Sequence, residues 1–123
     1  MNGKTSSKLI TRERRKQRIR KKIYGTAERP RLSVFRSTKH IYAQVIDDLS
    51  GRTLAAASSL DKEFSVEEGT PKHERSRAVG ELLARRCLAQ NIDAVVFDRN
   101  GFPYASLRIK SLAEGAREAG LNF

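Results

Sequence analysis

The excess charge of this chain sits entirely at one end. Residues 1–36 hold 13 of the 25 Lys and Arg residues and only two acids, Glu13 and Glu28, for a net charge of +11. Residues 37–123 carry 12 bases and 12 acids and sum to zero. That partition limits what can fold with what. A run as basic as Arg12-Glu13-Arg14-Arg15-Lys16-Gln17-Arg18-Ile19-Arg20-Lys21-Lys22 supplies no core. The core must come from the balanced part, about 90 residues, enough for one modest domain. The expected organisation is a basic arm over residues 1–28 and a single α/β domain over residues 29–123. A basic arm on a neutral body is how a protein grips a polyanion, and nucleic acid is the first suspect.

Composition excludes several other classes. One cysteine, Cys87, cannot form an internal disulfide, so the fold needs no oxidising compartment. Two histidines and that cysteine, widely spaced, make no zinc site. No apolar run approaches the length that spans a bilayer. The N-terminus is basic but lacks the apolar segment of a secretory signal. It shares the Ser-rich, acid-poor composition of an organelle transit peptide, yet runs into the first strand with no evident cleavage region. A soluble, cytoplasmic protein is expected.

Met1 to Leu9 is small and polar, and is expected to be mobile when free. Thr11 is placed to cap a helix running to about Ile23, with Gly25 to end it. Arg14, Arg18 and Lys22 then lie on one face, where like charges repel, so the isolated arm should order fully only on a polyanion. Beyond Pro30, Arg31–Arg36 reads as a strand, Ser37–His40 as a turn and Ile41–Asp47 as a cleanly alternating strand. After a turn at Asp48–Arg52 comes a third strand, Thr53–Ser58. Leu60–Pro71 is a polar, exposed connector. A helix from Lys72 to about Gln90 presents the stripe Ala78, Val79, Leu82, Leu83, Cys87, Leu88 and Ala89. Ala94–Asp98 is a continuous apolar strand, parallel to a neighbour because a helix precedes it. Arg99–Ala105 is a loop. A last helix, Leu107 to Ala119, buries Ile109, Leu112, Ala113 and Ala116.

The fold class is therefore α+β, a β-β-β-α-β-α two-layer sandwich with helices on one sheet face. Three strands are antiparallel and one parallel. Alternation puts Leu32, Val34, Ile41, Ala43 and Val45 on one face. Arg31, Ser33, Phe35, Tyr42, Gln44 and Ile46 fall on the other, a mixture better suited to sugars, bases and phosphates than to a core. Alternation alone leaves Phe35 and Tyr42 open between stacking and core roles. His40 suits a hydrogen bond within its turn, Arg99 an ion pair with Asp98, and Cys87 the core.

Two long runs carry a resemblance. Gly25-Thr26-Ala27-Glu28-Arg29-Pro30-Arg31-Leu32-Ser33-Val34-Phe35-Arg36-Ser37 and Lys39-His40-Ile41-Tyr42-Ala43-Gln44-Val45-Ile46-Asp47-Asp48 resemble the bacterial large-ribosomal-subunit protein eighteen family. Val96-Phe97-Asp98-Arg99 and Ala116-Arg117-Glu118-Ala119-Gly120-Leu121 are similar to the same family. The resemblance covers nearly the whole chain from Arg12. It implies a strand order 3-2-1-4 and a structural, non-enzymatic role in binding 5S ribosomal RNA and anchoring it to the large subunit. The implied partners are 5S rRNA, the large-subunit 23S rRNA and large-subunit protein five as neighbour, with no cofactor, membrane or small-molecule substrate.

The implied RNA-binding positions begin in the arm with Arg12, Arg14, Arg15, Arg18, Arg20, Lys21 and Lys22. They continue through Arg29, Arg31, Phe35 and Arg36 to the turn residues Ser37, Thr38, Lys39 and His40, and end on Tyr42 and Gln44. One departure matters. Between Tyr104 and Arg108 the family has His-Gly, where this chain has Ala105-Ser106-Leu107, so RNA contacts of that loop do not carry over.

Two rival classes stand against this reading. Asp47, Asp48 and Asp98 end strands and together could hold Mg²⁺ for a nuclease. However, Asp47-Asp48 opens a turn, where Asp is favoured for local backbone bonding. A DNA-packaging or general basic chaperone is the other, since phosphate contacts carry no sequence information.

Overall fold

The computed structural model describes residues 6–20, 23–103 and 106–123. Its elements are α1 (Ser6–Arg20), β1 (Arg31–Arg36), β2 (Ile41–Asp47), β3 (Arg52–Ser58), α2 (Lys72–Leu88), β4 (Val96–Asp98) and α3 (Leu107–Glu118). The strands form one mixed sheet in the order β3-β2-β1-β4. β1 pairs antiparallel with β2, with Phe35 opposite Tyr42, and parallel with β4, with Ser33 opposite Asp98. A register shift between Val45 and Ile46 interrupts the antiparallel β2–β3 ladder.

One sheet face carries the core. Leu32, Val34, Ile41, Ala43, Val45, Ala55 and Ala57 meet Val79, Leu82, Leu83 and Cys87 of α2 and Ile109, Leu112 and Ala116 of α3. Cys87 belongs to that core, where burial pushes its thiol up to about 11. The helices cross closely: a Cβ on Gly80 would strike the Leu112 carbonyl oxygen, so only glycine lets the two backbones approach.

Several boundaries differ from expectation. α1 begins five residues before Thr11, which sits inside the helix and not at its cap. Among the described residues it runs to Arg20, and Ile23 is not helical. The expected mobile stretch Met1–Leu9 is helical from Ser6, while residues 1–5 lie outside the described residues. Gly25 does not terminate α1. It admits a close approach to the sheet, where a Cβ would collide with the Arg31 nitrogen and the Ile46 carbonyl oxygen. Its own N–H donates to Asp48 Oδ2 at 2.8 Å, and its carbonyl accepts from the Asp48 N–H at 2.9 Å.

α2 stops at Leu88 and turns Leu88 and Ala89 outward; Ser76, Gly80 and Ala84 join its buried face instead. β4 is shorter than expected because the C-terminal tail occupies its start. Ala94 bridges Asn122, and Val95 N–H donates to the Asn122 carbonyl at 3.1 Å. Phe123 then stacks on Phe97. The connector exposes Glu63, Glu67 and Glu68 but is anchored: Phe64 packs against the core, and Arg86 holds Asp61.

Candidate nucleic-acid interface

With α2 and α3 behind the sheet, the opposite face meets α1 at one end. Arg12, Arg15 and Lys16 of α1 are half-buried, while Arg14 and Arg18, four residues apart, are exposed on its other side. The Arg12 guanidinium lies 4.0 Å from the Phe102 ring centroid and 5.6 Å from that of Phe35. Arg36 approaches the same Phe102 ring at 5.1 Å. Arg15 Nε donates to the Gly101 carbonyl at 3.0 Å. Helix formation here owes little to amphipathicity, since the segment is polar nearly all round; good helix formers and these docking contacts hold it.

The rings form a row. Phe102 packs edge-on against Phe35 at 5.8 Å, and Phe35 lies tilted 6.0 Å from Tyr42. Phe35 is 44% exposed and Tyr42 half-buried, so neither is swallowed by the core. Gln44 is exposed beside them. Nε of Arg12, Arg36, Arg99 and Arg108 are buried and have no acceptor among the described residues.

The β1–β2 turn is held from behind. Arg108 at the start of α3 donates from Nη1 to the Ser37 carbonyl at 2.8 Å and from Nη2 to the His40 carbonyl at 2.9 Å. Lys72 at the start of α2 donates from Nζ to the Thr38 carbonyl at 2.8 Å. His40 keeps to a hydrogen-bonding role, its Nδ1 lying 2.9 Å from Ser59 Oγ. Thr38 and Lys39 stand exposed at the tip. Burial, with Arg36 close by, lowers the Arg108 pKa from its ordinary value. Arg108→Ala should therefore loosen the turn while α3 stays formed. Amide exchange at Ser37, whose N–H bonds the His40 carbonyl at 2.8 Å, is expected to quicken by about tenfold, as one or two part-buried hydrogen bonds are removed.

Alternation puts Arg31 on the open face beside Ser33 and Phe35, but its side chain is buried at the sheet end. It is 6% exposed. Its Nε and Nη2 hold the two carboxylate oxygens of Asp48, each at 2.9 Å, and Nη1 holds Asp98 Oδ2 at 2.9 Å. Hydrogen bonding to Asp48 raises the Arg31 pKa above its ordinary value. The expected Asp98–Arg99 pair is likewise replaced, because Asp98 turns to Arg31 and accepts the Asn100 N–H at 2.8 Å. Asp47 bonds its own turn through the Leu49 N–H and the Ser50 hydroxyl. The three aspartates of the nuclease reading are thus committed to arginine and backbone. Among the described residues no group of three metal-binding side chains gathers.

Arg29 is exposed, with Nε 3.4 Å from the Val95 carbonyl. The side chain of Arg20 and the whole of Lys21, Lys22, Tyr104 and Ala105 lie outside the described residues. Sequence reasoning passes over Phe102, Arg108 and Lys72. Phe102 follows Asn100-Gly101 in a loop with no periodicity, so only the ring contacts bring it out.

A cationic helix laid across the aromatic end of an open sheet face defines a small, basic α+β binding protein. The sequence places it more closely. The family described as Ribosomal L18 of archaea, bacteria, mitoch. and chloroplast matches residues 6–123, and the chain belongs to that family. It is 61% identical over 118 residues to large ribosomal subunit protein uL18 of Sorangium cellulosum, covering 94% of this chain and 98% of that one. The protein of the same name from Myxococcus xanthus is 56% identical over 117 residues, covering 95% and 98%. That of Clostridium beijerinckii is 56% identical over 120 residues, covering 98% of each. Membership makes the chain a structural constituent of the large ribosomal subunit, working in the cytoplasm with ribosomal RNA and proteins. No described helix is long and apolar enough to cross a membrane.

Proposed function

We propose that the protein binds 5S rRNA and helps attach it to the 23S rRNA of the large subunit, beside large-subunit protein five. The observation that carries this reading is the pairing of α1 with the aromatic row. Arg12 and Arg36 share the Phe102 ring, and Arg14 and Arg18 stay exposed on the same helix as Arg12. Residues 1–28 act as the arm and residues 29–123 as the body that aims it.

The division of labour follows from contact chemistry. Arg14, Arg15, Arg18, Arg20, Lys21 and Lys22 neutralise phosphates, which gives affinity without reading sequence. Arg12, Arg29, Arg36 and Lys39 extend that charge onto the sheet. Phe35, Tyr42 and Gln44 meet sugars and bases, and Ser37, Thr38 and His40 present a shaped turn. Arg31 contributes by holding the sheet and not by touching RNA.

Titrating 5S rRNA and a duplex DNA of equal length against the protein over a salt series tests the reading. With six to ten phosphates neutralised, affinity for 5S rRNA should fall by roughly 10³–10⁵ between about 50 and 200 mM salt. At physiological salt 5S rRNA should bind more tightly than the duplex. Equal affinity for both would favour a general basic chaperone.

A further inference from the structure

The open sheet face holds a second feature beyond the aromatic row. Beside Tyr42, towards the free edge of the sheet, lies an open depression of about 190 Å³ lined by Tyr42, Gln44, Ala56, Ser58 and Asp61. It exists because β3 carries small side chains where its neighbour carries large ones. Tyr42 stands opposite Ser58 and Gln44 opposite Ala56 across the β2–β3 ladder. Tyr42 forms the wall that continues the row from Phe35, and Ala56 leaves the floor flat.

The polar groups around this pit differ from those at the α1 end. Gln44 is exposed, and its side chain makes no hydrogen bond among the described residues. Ser58 Oγ accepts the Leu60 N–H at 3.2 Å and retains its own proton to donate. Arg86 grips both oxygens of Asp61, with Nη2 to Oδ1 at 2.9 Å, and also reaches the Ala56 carbonyl at 2.7 Å. Asp61 Oδ1 further accepts the Glu63 N–H at 3.1 Å. Hydrogen bonding from Arg86, then from Glu63 N–H, holds the Asp61 carboxyl down to about 2, so it is charged throughout the physiological range. A spare lone pair remains on Oδ2. Arg86 at the rim is engaged by Asp61 and by the Ala56 carbonyl.

With its arginine already paired, such a site offers phosphate little and accepts hydrogen-bond donors. Its volume is smaller than the roughly 300 Å³ at which pockets begin to enclose a whole small ligand. It has room for one flat ring system against Tyr42. RNA is read in this manner where unpaired bases splay out, stack on an aromatic ring and bond along an edge. A carboxylate selects an exocyclic amine, as it does for cytosine N4.

We propose that this pit takes one unpaired RNA base bearing an exocyclic amine, stacked on Tyr42 with its amine towards Asp61 and Gln44. The site rests on the RNA-binding reading above and adds sequence preference to it. The arm would supply affinity without preference; the pit would supply preference with little salt dependence.

Ala56→Leu tests this directly, since the residue is exposed and lies outside the core. Filling the pit should raise the dissociation constant for 5S rRNA about tenfold, in keeping with the loss of one stacked base, and leave the salt slope unchanged. Ala56→Ser, which keeps the pit open, should stay within about twofold of the parent. A uridine pentamer and the same pentamer with a central cytidine or adenosine give a second readout on the intact protein. The cytidine and adenosine forms should bind more tightly and shift the amide resonances of Gln44 and Ala56, and Ala56→Leu should erase the difference. Unchanged 5S affinity in Ala56→Leu, or equal binding of all three pentamers, overturns the pit. Pentamer preference without any 5S rRNA binding would instead uphold the pit and sink the 5S reading.

Discussion

Replacing Arg12, Arg14, Arg15 and Arg18 together by Gln should weaken binding to 5S rRNA by roughly 10²–10³-fold at physiological salt. A phosphate that no arginine neutralises keeps its counterion, so the salt slope should become shallower by about three units, at roughly 0.7–0.9 per phosphate. Gln is a good helix former, so helix propensity is kept, while the docking contacts of Arg12 and Arg15 go with their charge. Arg14 and Arg18 are exposed, and Arg12 and Arg15 touch the rim formed by Phe35, Gly101 and Phe102. The core should therefore melt as before, which calorimetry can check. A full loss of affinity with an unchanged slope would mean that the arginines shape the protein and do not meet phosphate.

The second large effect concerns stability. Arg31→Met should destabilise the fold by about 3–5 kcal/mol, because it takes the arginine from a completely buried carboxylate at Asp98 and removes both Arg31 contacts to Asp48. Native domains are stable by only about 5–15 kcal/mol, so much of the margin disappears. The triad ties three parts together: β1 through Arg31, the β2–β3 turn through Asp48, and the end of β4 through Asp98. Asp48 also holds Gly25, and with it the segment that leads out of the arm. Urea unfolding measures the loss. Adding Asp48→Asn and Asp98→Asn to Arg31→Met should recover a large part of it, since the buried charge at Asp98 is then removed together with its partner. A triple variant no more stable than Arg31→Met would show that specific geometry, and not stranded charge, dominates.

How legible these features are in the sequence depends on whether a local pattern decides them. β1 and β2 are readable to the residue because Leu32, Val34, Ile41, Ala43 and Val45 alternate against polar partners and turn residues bound them. The buried positions of α3 are readable for the same reason at helical spacing. α1 is different. With charge on nearly every side it has no apolar stripe, and what it docks against is Gly101 and Phe102, a contact that joins residues 86 apart in the chain. β4 is cut short by a tail from the far end of the sequence, which no window around residue 94 contains. Arg31 misleads because alternation puts it on the open face, while its guanidinium finds two carboxylates at a sheet end and is buried by them. Gly25 carries the signal of a helix stop but serves a close backbone crossing.

The site is half visible in the same sense. The arm's charge, the aromatic pair Phe35 and Tyr42, and the turn at Ser37–His40 are local facts. What joins them is tertiary: Phe102 extends the ring row, Arg108 and Lys72 hold the turn, and the small residues of β3 open a pit beside Tyr42.

Cutting 5S rRNA from reagents tethered at chosen positions tests the central account most directly. Cys87 is buried, with its thiol pushed up to about 11, so it does not compete for the reagent. Tethers at Arg18→Cys on α1 and Gln44→Cys on the open sheet face should each cut the bound RNA, at neighbouring nucleotides. A tether at Glu114→Cys, exposed on α3 in the helical layer, should leave it uncut. Cleavage from Glu114→Cys, with none from Arg18→Cys or Gln44→Cys, would place the RNA on the wrong side of the sheet and contradict the account.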